Sequence, residues 1–144
     1  MPFEIRECYI SSSQKGVVRG MHFQTPPHQH SKIVTCLKGE ALDVVVDLRS
    51  GSPTYGIAKG IHLNALDPSL VVIPIGFAHG FAALTDDVRM IYFVSSEHAA
   101  QDDHGILWSS IDFNWPFESG IISPRDAAFP MLEDFDSPFV WNKD

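Results

Sequence analysis

The 144-residue sequence contains only two cysteines and no apolar run long enough to cross a membrane. Cys8 and Cys36 are isolated thiols, which favours reduced side chains in a cytoplasmic protein, with a single disulfide as the alternative. A membrane helix needs about 18–20 consecutive apolar residues. The opening residues, MPFEIREC, lack the charged start and apolar run of a secretion signal. We therefore expect a cytoplasmic protein without a membrane partner.

Positive charge is also scarce in this chain. Ten Lys and Arg stand against 18 Asp and Glu, which gives a formal net charge of −8. Affinity for nucleic acid comes largely from Lys and Arg that contact phosphates, so this balance excludes a general nucleic-acid binder. Net charge governs solubility and long-range steering, and it leaves room for a local basic pocket.

Strand-forming residues are abundant by comparison. Hydrophobic residues make up 44% of the chain, enough to exclude wholesale disorder and to form the core of one domain over residues 1–144. Short runs rich in β-branched and aromatic residues alternate with clusters of turn-forming residues. The runs predict strands over residues 3–11, 16–24, 32–38, 40–49, 55–64, 70–74, 77–84 and 88–95.

Two further patterns define the fold class. In residues 40–49, Leu42, Val44, Val46 and Leu48 alternate with Asp43, Val45, Asp47 and Arg49, so the two sets point to opposite faces of a strand. After residue 96 the sequence becomes aromatic and proline-rich, and we expect irregular segments that pack over the strands. Seven or more short strands at this spacing predict an all-β barrel of jelly-roll type.

Four polar side chains are candidates for chemistry, and each also has an ordinary structural interpretation. They are a histidine in a strand, a lysine at a strand start, an aromatic in an apolar run and an aspartate in a turn, namely His22, Lys32, Tyr92 and Asp126. Strict alternation places Arg19 and His22 on opposite faces of their strand. A bulge at Gly20 would turn one of them to the other face.

Four ordered motifs carry a resemblance to a known family. They are GVVRGMHFQ (16–24), the run from KIVTCLKGE to SGSPTYG (32–56), IPIGFAHGF (73–81), and DFNWP (112–116) followed by SPRD (123–126). Together they resemble the dTDP-4-dehydrorhamnose 3,5-epimerase family over roughly residues 5–135. Members of that family are cofactor-free cupins that act on nucleotide-diphospho-4-keto-6-deoxysugars. The resemblance implies a cupin-type barrel, an isomerase and no cofactor.

The resemblance also implies a role for each candidate residue. His22 falls on the general base, Asp126 on the carboxylate that orients it, Tyr92 on the general acid and Lys32 on the cation beside the C4 carbonyl. The remaining substrate-binding positions are Arg19, Arg125, His79, Asp43, Gln24 and Glu7.

These residue types suit the implied chemistry. Removal of a proton beside a ketone needs a base that works near neutral pH, which histidine provides. A fixed cation stabilises the enolate oxygen more than the neutral ketone. An acid on the opposite face of the sugar returns a proton and completes the inversion.

The sequence departs from the family at the positions that contact the nucleotide in family members. Family members carry a further N-terminal segment, so we expect a member shortened at the N-terminus. A Gln and an Asn that contact substrate in the family appear here as Glu7 and Tyr9, and His98 stands near the place of an aromatic that stacks on the base. The nucleotide, the sugar and the number of inverted centres are therefore left open.

Two alternatives compete with the epimerase interpretation. One is a cupin that binds a sugar nucleotide without turnover. The other is a metal-dependent cupin that uses His28, His30 and His79, because the H-x-H and P-x-G-x-x-H patterns are similar to those of metal-binding cupins. The carboxylate ligand expected shortly after the second histidine is absent from residues 33–35, which disfavours the metal site.

The N-terminal run FEIRECYIS bears on assembly. It is an apolar strand with no earlier segment of its own chain to pair with, and unpaired strand edges favour pairing with another chain. We therefore expect a homodimer built partly through sheet edges.

Overall fold

The computed structural model describes residues 2–143, and within them the chain forms nine strands. These are β1 Glu7–Ser13, β2 Val18–Gln24, β3 Lys32–Lys38, β4 Glu40–Asp47, β5 Ala58–Asn64, β6 Val71–Ile73, β7 Phe77–Ala83, β8 Val88–Val94 and β9 Asp103–Gly105. A short helix, α1, covers Pro124–Ala127, and 3-10 turns cover Ala100–Asp102, Trp108–Ser110 and Leu132–Asp134. None of the helices in this part of the chain is long and apolar enough to span a membrane.

The strands form two antiparallel sheets, which confirms the all-β, jelly-roll prediction. One sheet has the order β1-β8-β3-β6 and the other the order β5-β4-β7-β2-β9. Each predicted strand is present, and most are shorter than the sequence runs. The N-terminal strand begins at Glu7 and not at Phe3. Strand β9 was not predicted, because its three residues lie within a segment of loop composition.

The space between the sheets changes character from one end to the other. Along β8, the inward side chains run from Met90, which is fully buried in the apolar core, to Tyr92. On β7 the inward side chains likewise change from apolar to polar, from Phe81 to His79. Lys32 lies at the polar end of β3. An apolar core therefore fills one end of the barrel, and polar side chains surround the other.

The outer faces of the two sheets differ. Val44, Val46 and Leu48 face away from the barrel interior and pack against Ile111 and Phe139 of the C-terminal segment. The predicted irregular segment thus covers the outer face of the five-stranded sheet.

The outer face of the four-stranded sheet leaves apolar side chains exposed to solvent. Ile10, Leu37 and Val72 are each at least half exposed there.

The two cysteines, exposed Cys8 and buried Cys36, are both free thiols, as the sequence indicated.

Candidate active site

The polar end of the barrel encloses a cavity of about 380 Å³, within the size range of small-molecule sites. Eight of the ten residues that the sequence analysis assigned to the site line this cavity, namely Glu7, Arg19, His22, Gln24, Lys32, His79, Tyr92 and Arg125. The other two, Asp126 and Asp43, lie behind it, and each contacts a cavity histidine.

The first His–Asp pair joins β2 to the C-terminal segment. His22 Nε2 lies 2.8 Å from Asp126 Oδ1, and Gly20 N–H donates to Asp126 Oδ2 at 3.0 Å. Ser123 caps α1 by accepting from Asp126 N–H at 3.1 Å. Burial raises the pKa of Asp126, but the hydrogen bonds from His22 and Gly20 outweigh it, so the pKa lies below its ordinary value. An ionised carboxylate only accepts hydrogen bonds, so Nε2 of His22 carries a hydrogen, and in the neutral form of the ring Nδ1 holds the lone pair.

Arg19 and His22 share the cavity because β2 is irregular between them. The register of β2 against β7 shifts between these two residues, and Gly20 has a φ of +128°, which favours glycine. A Cβ at Gly20 would lie 2.7 Å from Gly80 Cα, so the two backbones approach closely only because both residues are glycines. The bulge considered from the sequence is therefore present.

A second His–Asp pair lies beside the first. His79 is the partner of His22 in the β2–β7 ladder, and its Nε2 lies 2.6 Å from Asp43 Oδ1. The side chains of His79 and Asp43 are 3% and 0% exposed, whereas that of His22 is 29% exposed. Burial lowers the pKa of His79, although the Asp43 carboxylate acts in the opposite direction. His79 is therefore a neutral, buried ring in the cavity wall.

Lys32 supplies a buried cation to the floor of the cavity. Its relative exposure is 5%. Burial lowers the pKa of its ammonium group to about 8, while the carboxylates of Asp103 and Asp43 act in the opposite direction. At neutral pH the group is still mostly protonated, and its charge acts in a poorly solvated site.

Tyr92 faces the histidines from the other sheet. Its hydroxyl lies 3.1 Å from Ser11 Oγ, and its ring stacks on Tyr9 with ring centroids 4.6 Å apart. Burial raises the pKa of the Tyr92 phenol, and the hydrogen bond with Ser11 partly offsets this effect. The rings of Tyr92 and His79 also make an edge-to-face contact, with centroids 6.1 Å apart.

The cavity mouth carries charges of both signs. Arg125 Nη2 lies 2.8 Å from Asp103 Oδ2, and His98 N–H donates to Glu7 Oε2 at 3.1 Å. The sequence analysis did not single out Asp103, because nothing in the run AAQDDHG distinguishes one aspartate from the other. Its position in β9, opposite Gln24 of β2, is visible only in the folded chain.

The sequence places Gln24 among the substrate contacts, and the structure shows its amide engaged within the chain. Gln24 Nε2 donates to His28 O at 2.7 Å, and Gln24 Oε1 accepts from Ala99 N–H at 3.0 Å. Gln24 therefore joins β2 to the segment that follows β8 and shapes one wall of the cavity.

The three histidines of the metal-site alternative do not converge. His28 Nδ1 lies 2.6 Å from Asp102 Oδ2 and does not line the cavity that contains His30 and His79. Within residues 2–143, no group of three or more His, Cys, Asp or Glu side chains is arranged to hold a metal ion. The geometry therefore does not favour the metal-dependent alternative.

Sequence comparison gives consistent results. The profile of the dTDP-4-dehydrorhamnose 3,5-epimerase family matches residues 1–134. The dTDP-4-dehydrorhamnose 3,5-epimerase of Shigella flexneri is 42% identical over 128 residues, which cover 88% of this chain and 71% of that protein. The dTDP-4-dehydrorhamnose 3-epimerase of Streptomyces niveus is 39% identical over 135 residues, which cover 92% and 65%. The chain thus spans about two thirds of the length of these relatives.

Structural comparison extends the likeness to the fold. A dTDP-6-deoxy-D-glucose-3,5-epimerase from Legionella pneumophila, solved in complex with dTDP-4-keto-L-rhamnose, matches with a TM-score of 0.93 at 32% identity. The match covers 99% of this chain and 78% of that one. Sequence, fold and cavity together establish that the chain belongs to the dTDP-4-dehydrorhamnose 3,5-epimerase family of isomerases.

Proposed function

We propose that this chain is a cofactor-independent epimerase of nucleotide-diphospho-4-keto-6-deoxyhexoses that inverts C3, C5 or both. One observation carries the proposal: a histidine paired with a carboxylate, a buried lysine and a phenol converge on one cavity. The substrate ketone takes up the electron pair, so the scheme needs only side chains of the chain. A dTDP-sugar is the proposed ligand, because the similar Legionella pneumophila epimerase was solved with one.

Proton removal falls to His22. Asp126 fixes the tautomer in which Nδ1 accepts a proton, and its negative charge stabilises the imidazolium that forms. Phe129 packs edge-on against the imidazole, with centroids 5.7 Å apart, and restricts rotation of the ring. The side chain is partly exposed to the cavity, so it can contact a substrate and afterwards exchange its proton with solvent.

Lys32 stabilises the enolate. Removal of the proton moves an electron pair onto the C4 oxygen, and a cation fixed beside that oxygen favours the charged intermediate over the ketone. The ammonium group is buried, so it is ordered before the substrate binds and its charge is little screened by water.

Tyr92 returns the proton. His22 belongs to the five-stranded sheet and Tyr92 to the four-stranded sheet, so the two groups approach the sugar from opposite sides of the cavity. Donation from the phenol to the enolate carbon on the face opposite His22 inverts the centre. The proton then passes from His22 through solvent back to Tyr92, and the enzyme is restored.

The diphosphate is assigned to the cationic side chains nearer the mouth. Three of the ten Lys and Arg residues line the cavity, against two carboxylates. Arg19 donates from Nε to Ser13 Oγ at 2.9 Å and is thereby held in place. Arg125 pairs with Asp103, a contact that a diphosphate would replace with a stronger one. Arg19 and Arg125 thus place two guanidinium groups at the cavity, where an anionic ligand can pair with them in an otherwise acidic protein.

Deuterium wash-in tests the proposal. The protein is incubated in D₂O with dTDP-, CDP- and GDP-4-keto-6-deoxyhexoses, and deuterium at C3 and C5 is followed by NMR, with His22→Ala as the control. We expect incorporation with the dTDP-sugar and none with the variant. If no sugar nucleotide exchanges but one of them raises the melting temperature, the protein is a non-catalytic binding module.

We further propose a cytoplasmic homodimer. The outer edge of β1 is unpaired within the described residues, and the outer face of its sheet exposes Ile10, Leu37 and Val72. The exposed thiol of Cys8 suits a reducing compartment. We expect light scattering at micromolar concentration to give twice the 16.0 kDa of one chain. A mass of one chain would contradict the dimer.

A further inference from the structure

Two side chains of the edge strand β1 hold Tyr92 from the cavity side. Tyr9 and Tyr92 are directly opposite in the β1–β8 ladder, and their rings stack at an interplanar angle of 13° with centroids 4.6 Å apart. Ser11 lies two residues further along β1, on the same face, and its hydroxyl is 3.1 Å from that of Tyr92. One contact fixes the plane of the Tyr92 ring, and the other fixes its polar end.

We propose that Tyr9 and Ser11 are positioning residues that hold the phenol of Tyr92 where it can deliver a proton to the enolate. The proposal rests on the epimerase function given above, and neither residue is asked to touch the reacting carbon. It concerns the second half of the reaction only. Proton removal by His22 takes place at the opposite sheet.

Core packing alone does not explain the arrangement. Tyr9 is 45% exposed, so its ring is not a component of the apolar core, and it lines the cavity beside the ring that it covers. Tyr92 is 6% exposed, and it depends on Tyr9 to close one face of its ring. The stack therefore lies at the boundary between cavity and solvent, where it limits the movement of the phenol.

Ser11 acts on the chemistry of the phenol as well as on its place. When Tyr92 donates its proton to the enolate carbon, its O–H bond breaks and a phenolate forms, while the electron pair of the enolate forms the new C–H bond. The Ser11 hydroxyl can donate a hydrogen bond to the phenolate oxygen, which stabilises this product. In the same direction, the hydrogen bond with Ser11 opposes the rise that burial causes in the pKa of Tyr92.

The placement of Tyr92 therefore determines whether the enolate is protonated by Tyr92 on one face or by His22 on the other. A well-placed phenol protonates the carbon on the inverted face before His22 returns a proton to the original face. A displaced phenol leaves the enolate to His22, and the sugar then gains deuterium without inversion. The number of inverted molecules per deuteron incorporated at the same carbon therefore measures the placement of Tyr92. A general loss of folded or substrate-bound enzyme lowers both quantities and leaves their ratio unchanged.

The test compares variants of the two residues in D₂O with a dTDP-4-keto-6-deoxyhexose. Tyr9→Ala removes the stack, and Tyr9→Phe keeps the ring and serves as the matched control. We expect Tyr9→Ala to lower the ratio of inversion to wash-in about tenfold, part of the roughly 100-fold or more that a general acid contributes, and Tyr9→Phe to preserve it. Ser11→Ala should lower the ratio about threefold, and Ser11→Thr should restore it because the hydroxyl is retained.

The outcomes separate this proposal from the one on which it rests. Wash-in and inversion that fall together in Tyr9→Ala, or an unchanged ratio in both alanine variants, would overturn the positioning role while leaving the epimerase function intact. A wild-type chain that incorporates no deuterium would overturn the epimerase function itself, and the positioning role with it. If Tyr9→Ala fails to fold, the near-isosteric Ser11→Ala variant decides the question alone.

Discussion

The two His–Asp pairs are neighbours on adjacent strands, yet they occupy very different environments. His22 takes its carboxylate from the C-terminal segment, and its side chain is 29% exposed. His79 takes its carboxylate from β4, and its side chain is 3% exposed. The same two residue types therefore form one pair whose histidine is partly exposed and one pair whose two members are almost completely buried.

This difference supports the proposed assignment of the base. A general base must reach the substrate and then lose its proton to solvent, and of the histidines in the two pairs His22 is the more exposed. Burial lowers the pKa of His79 and keeps its ring neutral, and the ring lies beside that of Tyr92 with centroids 6.1 Å apart. We propose that the second pair supports Tyr92 in the cavity wall. We therefore propose that exposure, and not the presence of an Asp–His hydrogen bond, decides which of the two pairs acts as the base.

The largest effect is expected from His22→Ala. The variant should lose wash-in at every carbon that the wild-type enzyme exchanges, by about 10²–10⁴-fold, because one base removes all the protons. Exchange rates measured by NMR at saturating substrate test this expectation, with a melting curve to show that the variant is folded. Activity within about tenfold of wild type would show that the base lies elsewhere.

Tyr92→Phe should separate proton removal from proton return. The ring and its packing are kept while the donor is removed, so the fold should tolerate the change. We expect measurable wash-in with inverted product reduced about 100-fold, since His22 still takes the proton and returns one on the same face. Full inversion in this variant would identify water or another residue as the acid. Equal loss of exchange and inversion would assign Tyr92 to enolate stabilisation or packing.

Matched substitutions of the two carboxylates test the comparison directly. Asp126→Asn removes the charge that stabilises the His22 imidazolium and should slow wash-in by about tenfold to 100-fold. Asp43→Asn acts on the closed pair, and wash-in should stay within about threefold of wild type. Rates of exchange for the two variants at the same temperature show which of the two pairs provides the base. A larger loss for Asp43→Asn would reverse the assignment of the two pairs.

A smaller effect than that of Asp126→Asn is expected from pH, through Lys32. Burial lowers the pKa of its ammonium to about 8, and the enolate needs the protonated form, so wash-in should fall about fivefold between pH 8 and 9. Lys32→Arg keeps the charge at these pH values and should abolish the fall. A decline that begins only above pH 10 would contradict a buried, shifted lysine.

The lowered pKa of Lys32 also makes the free energy of unfolding depend on pH. The pKa of Lys32 is lower in the folded chain than in the unfolded one, so the unfolded chain binds more protons between about pH 8 and 10. The contribution of Lys32 to the free energy of unfolding therefore becomes more favourable as pH rises through that range. Below it, the buried charge destabilises the fold.

Much of the barrel is predictable from short apolar runs bounded by turn-forming residues. The strand predicted over residues 32–38 coincides with β3, because polar turns bound its apolar run on both sides. Strand β9 is not predictable in the same way, since its three residues acquire their ladder only from β2. The predicted start at Phe3 was also wrong, because β8 offers no partner to the residues before Arg6.

The site is predictable as a set of residues but not as a geometry. The family resemblance places His22, Lys32, Tyr92 and Asp126 in one site, and the alternation rule correctly raises a bulge at Gly20. Sequence patterns do not indicate that Tyr9 stacks on Tyr92, because the contact depends on the register in which β1 pairs with β8, a strand far along the chain. The hydrogen bond between Gln24 Oε1 and Ala99 N–H is likewise a tertiary contact, which sequence patterns do not indicate.

The origin of Asp126 in the C-terminal segment has a consequence for the order of events in folding. His22 and Asp126 are 104 residues apart, and the segment that carries Asp126 follows the last long strand, β8. On the ribosome, all eight strands of the barrel up to β8 are synthesised before the carboxylate exists. In refolding, tryptophan fluorescence from Trp108 and Trp115 should report the docking of this segment, and enzyme activity should return with that signal and not with the earlier appearance of β-structure.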